Sequence, residues 1–561
     1  MKEEMSDQTR GIIFVVIVVA ITVLWLHFYQ PPVSPQKPAS PAQQTTPAQN
    51  SSAGQAAAMA TVQAPARPTT ITAIQASAEK TIAVESPLYR VELSNRGGVV
   101  RSWKLKKYLN DEKPPQPLEL VNASAAAELG WPFSLVLSDK QLEAQANSAL
   151  YSVTPDSASA NAPAEITFHW SDGHLDVAKK LKFAQDYQLS VDVSATLDGK
   201  PLPVAVAWRG GFGDRAVYKA PTLVNVFYKQ GGKLNLLQYK KLGVSGNQSE
   251  PLEQSGPMEF TGIQDQFFTA TFIPDGPDGT ALSTWHWTQY HGSEPEAEMA
   301  AGTASAGPLQ LRLYVGPKDL ALLSKVRPSL EELINFGWTG IISKPLLFAL
   351  QWMHKYIPNY GWAIVVFTLL ITMALLPIRI WTFHSARKMQ MVAPEIKAIQ
   401  DRYKKYSMSD PRKRKMNEEV MAVYQREGIN PVGSCLPMLV QLPFLWAFYR
   451  MLNGAIELRH APWVWWIHDL SARDPYYILP VALALTTYLM AKMTPTPATV
   501  DPAQQRMMTL MPLMTAFIFF YLSSGLNLYY FTSTLIQSVQ QWYLNRAQPL
   551  PSRSKFKKKK E

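Results

Sequence analysis

Six stretches of the chain are long and apolar, and they divide it into distinct parts. The first, from Gly11 to Phe28, contains no charged residue. At the α-helical rise it reaches roughly 27 Å, close to the ~30 Å hydrocarbon thickness of a bilayer. The others lie in the C-terminal half, at Trp362 to Ile380, Ser434 to Leu452, Tyr477 to Ala491, Met507 to Leu522 and Leu526 to about Val539. The pattern predicts a multi-span α-helical membrane protein with six transmembrane helices.

The N-terminal run is open to two interpretations. A cleaved signal peptide has an apolar core of about 7–15 residues and an A-x-A site, whereas this run is longer and no clean site closes it. We therefore favour an uncleaved signal anchor over residues 1–29. Residues 30–68 consist mainly of Pro, Ala, Gln, Ser and Thr, with almost no large apolar side chain to bury. They are predicted to be a disordered linker.

Short alternating stretches of apolar and polar residues fill the region from 69 to 326. Tyr89-Arg-Val-Glu-Leu and Leu189-Ser-Val-Asp-Val are examples, and Gly, Pro, Asn and Asp separate such stretches. A period of two predicts half-buried strands, so we expect one antiparallel β-sandwich domain. The single cysteine, Cys435, lies in a later apolar run, and the domain is therefore built without disulfides.

The segment that follows, residues 327–358, contains a predicted amphipathic helix from Ser343 to Ile357. One helical face is apolar and the residues off it are polar or basic, which is typical of a helix lying in a membrane interface. The apolar face comprises Leu346, Leu347, Leu350, Met353 and Ile357, and the residues off it are Lys344, Gln351 and Lys355.

Basic residues between the apolar runs predict the orientation in the membrane. Residues 379–430 carry twelve Lys or Arg against six Asp or Glu, while the loop 453–475 has only Arg459 and Arg473 as basic residues. The positive-inside rule places the first of these loops in the cytoplasm. Both termini are then cytoplasmic, and the β domain is exported to the periplasm.

The basic loop itself is predicted to be a helical hairpin, residues 384–428, within a five-span core of residues 359–544. Asp410-Pro411 supplies an N-cap followed by proline in the first turn, and Gly428 supplies a C-terminal stop. The hairpin either sets topology only or also contacts a partner. Apolar residues repeat at Met389, Val392, Ile396, Ile399 and Tyr403 in one arm and at Met416, Val420, Val423 and Tyr424 in the other, and the basic candidates are Arg387, Lys388, Lys404, Lys405, Arg412 and Lys413.

The net charge of +11 collects beside the apolar runs and in the C-terminal tail, residues 545–561. This distribution does not form one basic face on a soluble domain, so DNA binding is a poor explanation. The tail is predicted to bind anionic lipid or ribosomal RNA, and its composition does not choose between them. Its binding residues are Lys555, Lys557, Lys558, Lys559 and Lys560.

Signatures of enzymes are missing from the sequence. There is no Walker loop, no H-E-x-x-H, no G-x-S-x-G and no cysteine pair at metal spacing, so we expect neither catalysis nor a cofactor or metal. The interiors of the five C-terminal runs also lack Asp and Glu, which argues against a proton-coupled transporter.

Arg450 is the notable charge within an apolar run. A mid-helix arginine costs roughly 2.5–3.5 kcal/mol unless it faces water or a partner. With Thr368, Thr372 and Gln441 it is predicted to line a hydrophilic groove. The alternatives are that Arg450 reaches the membrane surface and that each threonine bonds to its own helix backbone.

Several of these segments carry a specific pattern that closely resembles the YidC family of bacterial membrane protein insertases. The resemblance is continuous from about Phe336 to Arg546 and weaker in the β region. It rests on Asn430-Pro-Val-Gly-Ser-Cys-Leu-Pro, Trp466-Ile-His-Asp-Leu, Asp501-Pro-Ala-Gln-Gln-Arg and Ser524-Gly-Leu, with Asn95-Arg-Gly-Gly and Asp265-Gln-Phe-Phe in the β region.

The resemblance implies an all-β supersandwich for the exported domain and a groove open to cytoplasm and lipid. In this family the groove accepts the polar end of a nascent chain while the apolar segment slides along the third and fifth spans. It further implies nascent membrane proteins, the ribosome, Sec translocon components and anionic phospholipids as partners of a monomer in the inner membrane.

One position departs from the family pattern. Similar insertases usually carry a groove arginine in the second span, five residues before the proline that is here Pro377, and this chain has Thr372 there. Thr368 matches a family groove threonine, and Arg450 falls where the family commonly has a groove-facing tyrosine. We hypothesise that the charge has moved to Arg450. Arg379 is a rival, but it lies near the cytoplasmic boundary, where an anchoring role is expected.

Two other classes of function are considered. A secondary transporter or channel predicts inverted repeats, broken helices and membrane carboxylates, none of which the sequence indicates. A membrane-anchored periplasmic carbohydrate-binding protein would fit a large β sandwich, but five further spans with a basic hairpin are excessive for an anchor.

Overall fold

A computed structural model describes residues 72–214, 224–238, 252–274, 283–291, 296–305, 308–406, 410–428, 436–494, 514 and 517–547. The predicted signal anchor, the linker and residues 548–561 of the basic tail lie outside these ranges, as does most of the run from Met507 to Leu522. The described residues form a β domain followed by a helical part.

The β domain contains twenty strands in the described ranges. The predicted alternation is present in several of them, while three strands, Val204–Trp208, Phe260–Gln264 and Phe268–Pro274, are buried throughout. In the second strand Tyr89, Val91 and Leu93 are buried while Arg90 is exposed. The strands are β1 (Thr81–Glu85), β2 (Tyr89–Ser94), β3 (Val99–Leu109), β4 (Pro117–Glu119), β5 (Ser134–Val136), β6 (Ser152–Thr154), β7 (Ser159–Asn161), β8 (Ala164–Ser171), β9 (Leu175–Phe183), β10 (Gln188–Leu197), β11 (Lys200–Pro201), β12 (Val204–Trp208), β13 (Asn225–Gln230), β14 (Lys233–Gln238), β15 (Leu252–Gln254), β16 (Phe260–Gln264), β17 (Phe268–Pro274), β18 (Ser283–His291), β19 (Glu296–Ser305) and β20 (Leu309–Pro317).

The strands make three sheets. The largest has the order β14-β13-β16-β17-β20-β10-β9-β8-β6, with β11 paired to β10, and the two smaller sheets are β4-β3-β2-β1-β7 and β15-β18-β19-β12-β5. Among the described strand pairs only β1 and β7 run parallel. In the largest sheet Val191 stands opposite Leu181 on one side and Leu311 on the other, and all three are buried.

Large aromatic side chains join the three sheets into one core. Trp103 of β3 lies with its ring 5.7 Å from Tyr89, 6.3 Å from Phe183 of β9 and 6.3 Å from Trp208 of β12. Burying such side chains contributes most of the hydrophobic stabilisation of a domain, at about 25 cal/mol per Å² of apolar surface. The sandwich therefore has one continuous interior rather than separate halves.

Helices make up most of the chain after β20. Their bounds are α1 (Ala123–Leu129) and α2 (Lys140–Ser148) in the β domain, then α3 (Leu320–Leu323), α4 (Gly340–His354), α5 (Tyr360–Ala374), α6 (Leu376–Arg402), α7 (Pro411–Arg426), α8 (Leu436–Gly454), α9 (Ile478–Met493) and α10 (Ser524–Ala547), with short 3₁₀ turns at Glu331–Leu333, Gly337–Thr339 and Ile456–Leu458.

The run predicted as one span from Trp362 to Ile380 is two helices in the structure. The chain bends by 49° between α5 and α6, because Pro377 at the start of α6 has no N–H to continue the preceding helix. No single described helix is both long and apolar enough to pass for a membrane span. The bent pair α5–α6 passes by length and composition, and α9 is a shorter apolar helix. Six spans therefore remain a prediction.

The predicted amphipathic helix, α4, is apolar on two sides rather than one. Leu347, Leu350 and Met353 are buried against the rest of the molecule as expected. On the other side Phe348 and Trp352 are more than half exposed. Both residues lie within the segment from Ser343 to Ile357, and the sequence analysis assigned only one apolar face to it.

The predicted helical hairpin is present as the C-terminal part of α6 together with α7. All nine predicted apolar positions of its arms pack in one cluster, separate from the main core. Asp410 caps α7 by accepting from the Arg412 N–H, and Gly428 follows the helix with a φ of +61°. An ion pair of 2.7 Å between Arg426 and Glu395 joins the arms.

Candidate functional site

Helices α5 and α10 lie side by side and run in the same direction. Near their starts, a side chain added at Gly525 would contact Ile364, and towards their ends the Gln540 amide lies 3.9 Å from the sulphur of Met373. On another side of α10, Phe448 of α8 stacks on Tyr529 with ring centroids 3.9 Å apart. Helix α10 therefore packs against both α5 and α8.

A row of buried polar side chains follows the length of α10. Several hydroxyls bond only within the helix, as the 2.8 Å contact from Ser538 to the Thr534 carbonyl shows. The side-chain oxygens of Asn527 and Gln540 find no hydrogen-bond partner among the described residues. The members that are at most 9 % exposed are Ser524, Asn527, Thr532, Ser533, Thr534, Ser538, Gln540 and Gln541.

The predicted groove threonines, Thr368 and Thr372, are both buried on α5. Each hydroxyl donates to the carbonyl four residues earlier, at 2.7 Å, to Ile364 and to Thr368 respectively. Their hydrogen-bonding capacity is thus used inside their own helix, which is the alternative that the sequence analysis left open. The side chain of the third candidate, Gln441, lies outside the described residues.

Among the described residues Arg450 forms no hydrogen bond with either threonine. It is four residues from the end of α8, and its Nη1 donates at 3.3 Å to the carbonyl of Asn335, in the segment that connects the β domain to α4. A groove role for Arg450 stays a prediction, and the contact places its guanidinium beside the segment that precedes α4. The long side chain reaches a main-chain acceptor at the edge of the bundle, so the guanidinium need not stay among apolar groups.

Arg379 is the arginine that the structure places against the polar row. Its Nη2 donates at 2.8 Å to the carbonyl of Gln537 on α10. Helices α5 and α10 run in parallel, and Met373 lies level with Gln540. Gln537 is one turn earlier on α10, whereas Arg379 comes after Met373 in the chain. The Arg379 side chain must therefore point back into the bundle to reach Gln537. Within the described ranges Arg379 forms no ion pair, so its charge is held by a main-chain dipole alone.

The hairpin candidates occupy mostly solvent-facing positions. Arg387 differs, since its Nη2 lies 3.4 Å from the carbonyl of Asn545 and its guanidinium stands 5.1 Å from the ring centroid of Phe383. Arg412 pairs with Asp410 and covers the ring of Tyr406 at 4.0 Å. Lys388, Lys404 and Lys405 are exposed and Lys413 is half-buried, while the tail lysines lie outside the described residues.

A loop covers the end of the bundle that is nearest the β domain. This capping loop, residues 455–476, follows α8. Asn359, which caps α5, also donates from Nδ2 to the carbonyls of Pro462 and Trp463, at 3.1 and 3.3 Å. A Cβ at Gly361 would lie only 2.2 Å from the Trp463 indole, so only glycine permits this packing.

The capping loop also satisfies the first N–H groups of two further helices, which have no partner inside their own helix. The N–H groups of Ser524 and Gly525 donate to the carbonyls of Ala472 and Leu470, at 2.6 and 2.8 Å. The buried carboxylate of Asp474 accepts from the backbone at the start of α9. Helices α5, α9 and α10 therefore all begin at this one loop, and the loop closes that side of the bundle.

Comparisons with known proteins cover both parts of the chain. A family model described as "60Kd inner membrane protein" matches residues 352–551, and one described as "YidC periplasmic domain" matches residues 81–349. The membrane protein insertase YidC of Geobacter metallireducens is 31% identical over 88% of this chain and 90% of its own length. That of Methylobacillus flagellatus is 29% identical over 96% of this chain and 97% of its own.

Solved structures are also similar. An active YidC insertase with its first transmembrane domain resolved is 19% identical, with a TM-score of 0.35, and the match covers 85% of this chain and 95% of that one.

Proposed function

Because this chain belongs to the YidC family of membrane protein insertases, we propose that it inserts newly made proteins into a bacterial inner membrane. The proposal assigns the β domain to the periplasm, the hairpin and both termini to the cytoplasm, and six spans to the chain. No chemical step is involved, and no cofactor or nucleotide is assigned to the protein itself.

The observation that carries the proposal is the contact between Arg379 and Gln537 beside the buried polar row of α10. A guanidinium has five N–H donors, and only one is used by the described residues. The remaining donors suit an acidic or polar segment of a client protein. This cation stands two turns after the position where the family usually carries its groove arginine.

The physical benefit is a lower barrier to crossing the bilayer. Each unsatisfied backbone or polar side-chain group costs several kcal/mol in hydrocarbon. A groove that offers polar side chains and one positive charge part of the way across divides that cost into smaller steps. The groove is closed at the β-domain end by the capping loop, so a client enters from the other side.

Further partners are assigned from charge. The exposed hairpin lysines and the basic tail suit the phosphates of a ribosome or of anionic lipids, and both attractions weaken with salt. The protein works as a monomer, alone or with Sec translocon components. The domain boundaries given above from sequence are retained in this proposal.

Site-specific crosslinking to a ribosome-stalled membrane-protein nascent chain tests the proposed function. A photoreactive residue at Gln537 is expected to crosslink the client, because it stands beside Arg379. A photoreactive residue at Met421, exposed on the hairpin arm α7, is the matched control for random contact. Equal crosslinking at both positions, or none at Gln537, contradicts a groove at α10.

A further inference from the structure

The β domain and the capping loop are joined by an ion pair that is taken almost completely out of solvent. Arg459 donates from Nε to the Asp214 carboxylate at 3.1 Å and from Nη2 to the same oxygen, and the two side chains are 2 % and 4 % exposed. The same Nη2 donates at 2.7 Å to the carbonyl of Leu109, at the end of β3. Arg459 thus binds two separate segments of the β domain.

A second buried carboxylate supports this ion pair from inside the domain. The backbone N–H of Asp214 donates to Asp265 Oδ2 at 2.8 Å, and the N–H groups of Phe267 and Phe268 donate to Oδ1. Gly213, with a φ of +97°, allows this approach, because a Cβ there would lie 2.2 Å from Asp265 Oδ2. The backbone that presents Asp214 to Arg459 is therefore fixed before the ion pair forms.

Lys318 completes the cluster from the end of β20. Its ammonium donates at 2.9 Å to the carbonyl of Asp265 and at 3.3 Å to the Gln264 amide oxygen. Burial raises the pKa of Asp265 to about 6 and lowers the pKa of Lys318 to about 8. Two acidic and two basic side chains thus meet at one junction. Because burying charged groups costs free energy, an incidental contact between domains would not be expected to contain four of them.

Exposed contacts surround the buried ion pair. His460, next to Arg459, lies 2.7 Å from Asp111, and the Gln266 amide donates at 2.8 Å to the carbonyl of Asn453 at the end of α8. Such rim contacts are weak individually and are screened by salt. They align the two parts, while the buried ion pair carries the binding.

The capping loop is consequently held from two sides. On the bundle side it binds the starts of α5, α9 and α10 through its carbonyls and Asp474. On the other side it binds the β domain through Arg459. We propose that the β domain clamps this loop over the end of the bundle, with Arg459 as the positioning residue and Asp214 as its partner, and so keeps the insertion groove closed to the periplasm.

This inference rests on the proposed function, which makes the capped end the periplasmic one. It gives the exported domain a mechanical role that its sheet architecture alone does not suggest. The hydrogen bonds between a guanidinium and a carboxylate have a fixed geometry. The buried pair therefore favours one position of the loop against the domain. Without it, the loop would be held by the bundle contacts and by the exposed contact of His460 with Asp111.

Cysteine labelling tests the clamp in the full-length protein. Cys435→Ser removes the native thiol, and Ser471→Cys then reports on the loop, since Ser471 is 6 % exposed. A membrane-impermeant maleimide is added from the periplasmic side. Arg459→Ala is expected to raise the labelling rate at least about tenfold, because the loop opens more often. Arg473→Ala, an exposed arginine in the same loop, is the matched control and is expected to leave the rate unchanged.

Two results would overturn the clamp. One is an unchanged labelling rate in Arg459→Ala, with or without a lower melting temperature, since that restricts Arg459 to stabilising the β domain. The other is an equal rise in Arg473→Ala. If the alanine variant does not accumulate, Arg459→Lys, which keeps the charge but loses the second donor, is measured against the same two results. Labelling needs no client, so it distinguishes failure of the clamp from failure of the insertase proposal.

Discussion

Among the arginines that the structure describes, Arg459 and Arg379 differ sharply in their surroundings. Arg459 lies at the junction of the β domain and the capping loop, where a carboxylate and a main-chain carbonyl bind it. Arg379 lies in the helical bundle, where the described residues offer it one carbonyl of α10 and no carboxylate. The charge of Arg459 is neutralised by a carboxylate of the protein. The described residues give Arg379 no such partner, so its charge can bind another molecule.

The difference separates a structural cation from a functional one. A buried charge with a specific partner fixes geometry, because removing either member leaves the other desolvated and unpaired. A cation in an apolar bundle without a counter-ion is costly and marks a site where a polar or acidic group is bound. Arg459 therefore suits the clamp, and Arg379 suits a client protein.

The largest expected effect is at the junction. Arg459→Ala removes the guanidinium that binds the buried Asp214 carboxylate, and we expect it to lower the free energy of unfolding of the β domain by about 3–5 kcal/mol. Thermal unfolding of the purified full-length protein measures this. The double variant Arg459→Met with Asp214→Leu is expected to recover most of the loss, because both desolvated charges are gone. No recovery would show that the ion pair is not the source of the effect.

Packing between the bundle and the capping loop gives the next effect. Gly361→Ala places a Cβ against the Trp463 ring, and such overpacking costs about 1–3 kcal/mol. We expect a lower melting temperature together with faster labelling of Ser471→Cys. Gly340→Ala is the matched control for glycine substitution in general, since Gly340 has a helical φ of −53° and a Cβ there would only touch Phe336 at 3.5 Å. Equal effects of the two substitutions would contradict a tight seal.

A smaller effect is a pH dependence at Asp265. Burial raises its pKa to about 6, above the ordinary value of 3.8, so the folded state binds the proton more tightly than the unfolded chain does. The resulting stabilisation is complete below the ordinary pKa and is lost as the pH rises through about 6. Between pH 5 and 7 the wild type should lose about 1 kcal/mol more than Asp265→Asn. Parallel stability curves for the two proteins would contradict this assignment.

The smallest effect is expected at Thr368. Its hydroxyl adds a second bond to the Ile364 carbonyl, which already accepts the regular helical bond of the backbone, so Thr368→Val leaves that carbonyl satisfied. We expect client insertion to stay within about twofold of wild type. A complementation assay measures this, with Thr368→Ala as the control for lost volume. A severe defect in both variants would return the hydroxyl to the groove, whereas a defect in the alanine variant alone would indicate lost volume.

Local signals allowed the hairpin and the strands to be predicted. The arms of the hairpin follow from apolar residues at helical spacing and from Asp410-Pro411, since capping depends on neighbouring residues only. The strands follow from a period of two, because one face of each strand meets the core. These elements are specified within a few residues of chain.

The depth and direction of the arginines could not be predicted in this way. Arg450 lies inside an apolar run but reaches Asn335, and Arg379 lies at the end of a run but reaches back to Gln537. Both outcomes depend on the bend at Pro377 and on which helices are neighbours. The lengths of the apolar runs do not give this information. A signal that was available is the Ser533, Gln537 and Gln541 spacing, which places three polar side chains on one face of α10.

The most direct test of the central claim compares variants of Arg379 and Arg450 in cells depleted of their own insertase. Arg379→Ala is expected to abolish growth and client insertion, and Arg379→Lys to restore part of both, because a charge at this place is what the groove requires. Arg450→Ala, with matched expression, is expected to insert clients as wild type does. Wild-type insertion by Arg379→Ala, together with failure of Arg450→Ala, would contradict the account and return the groove cation to α8.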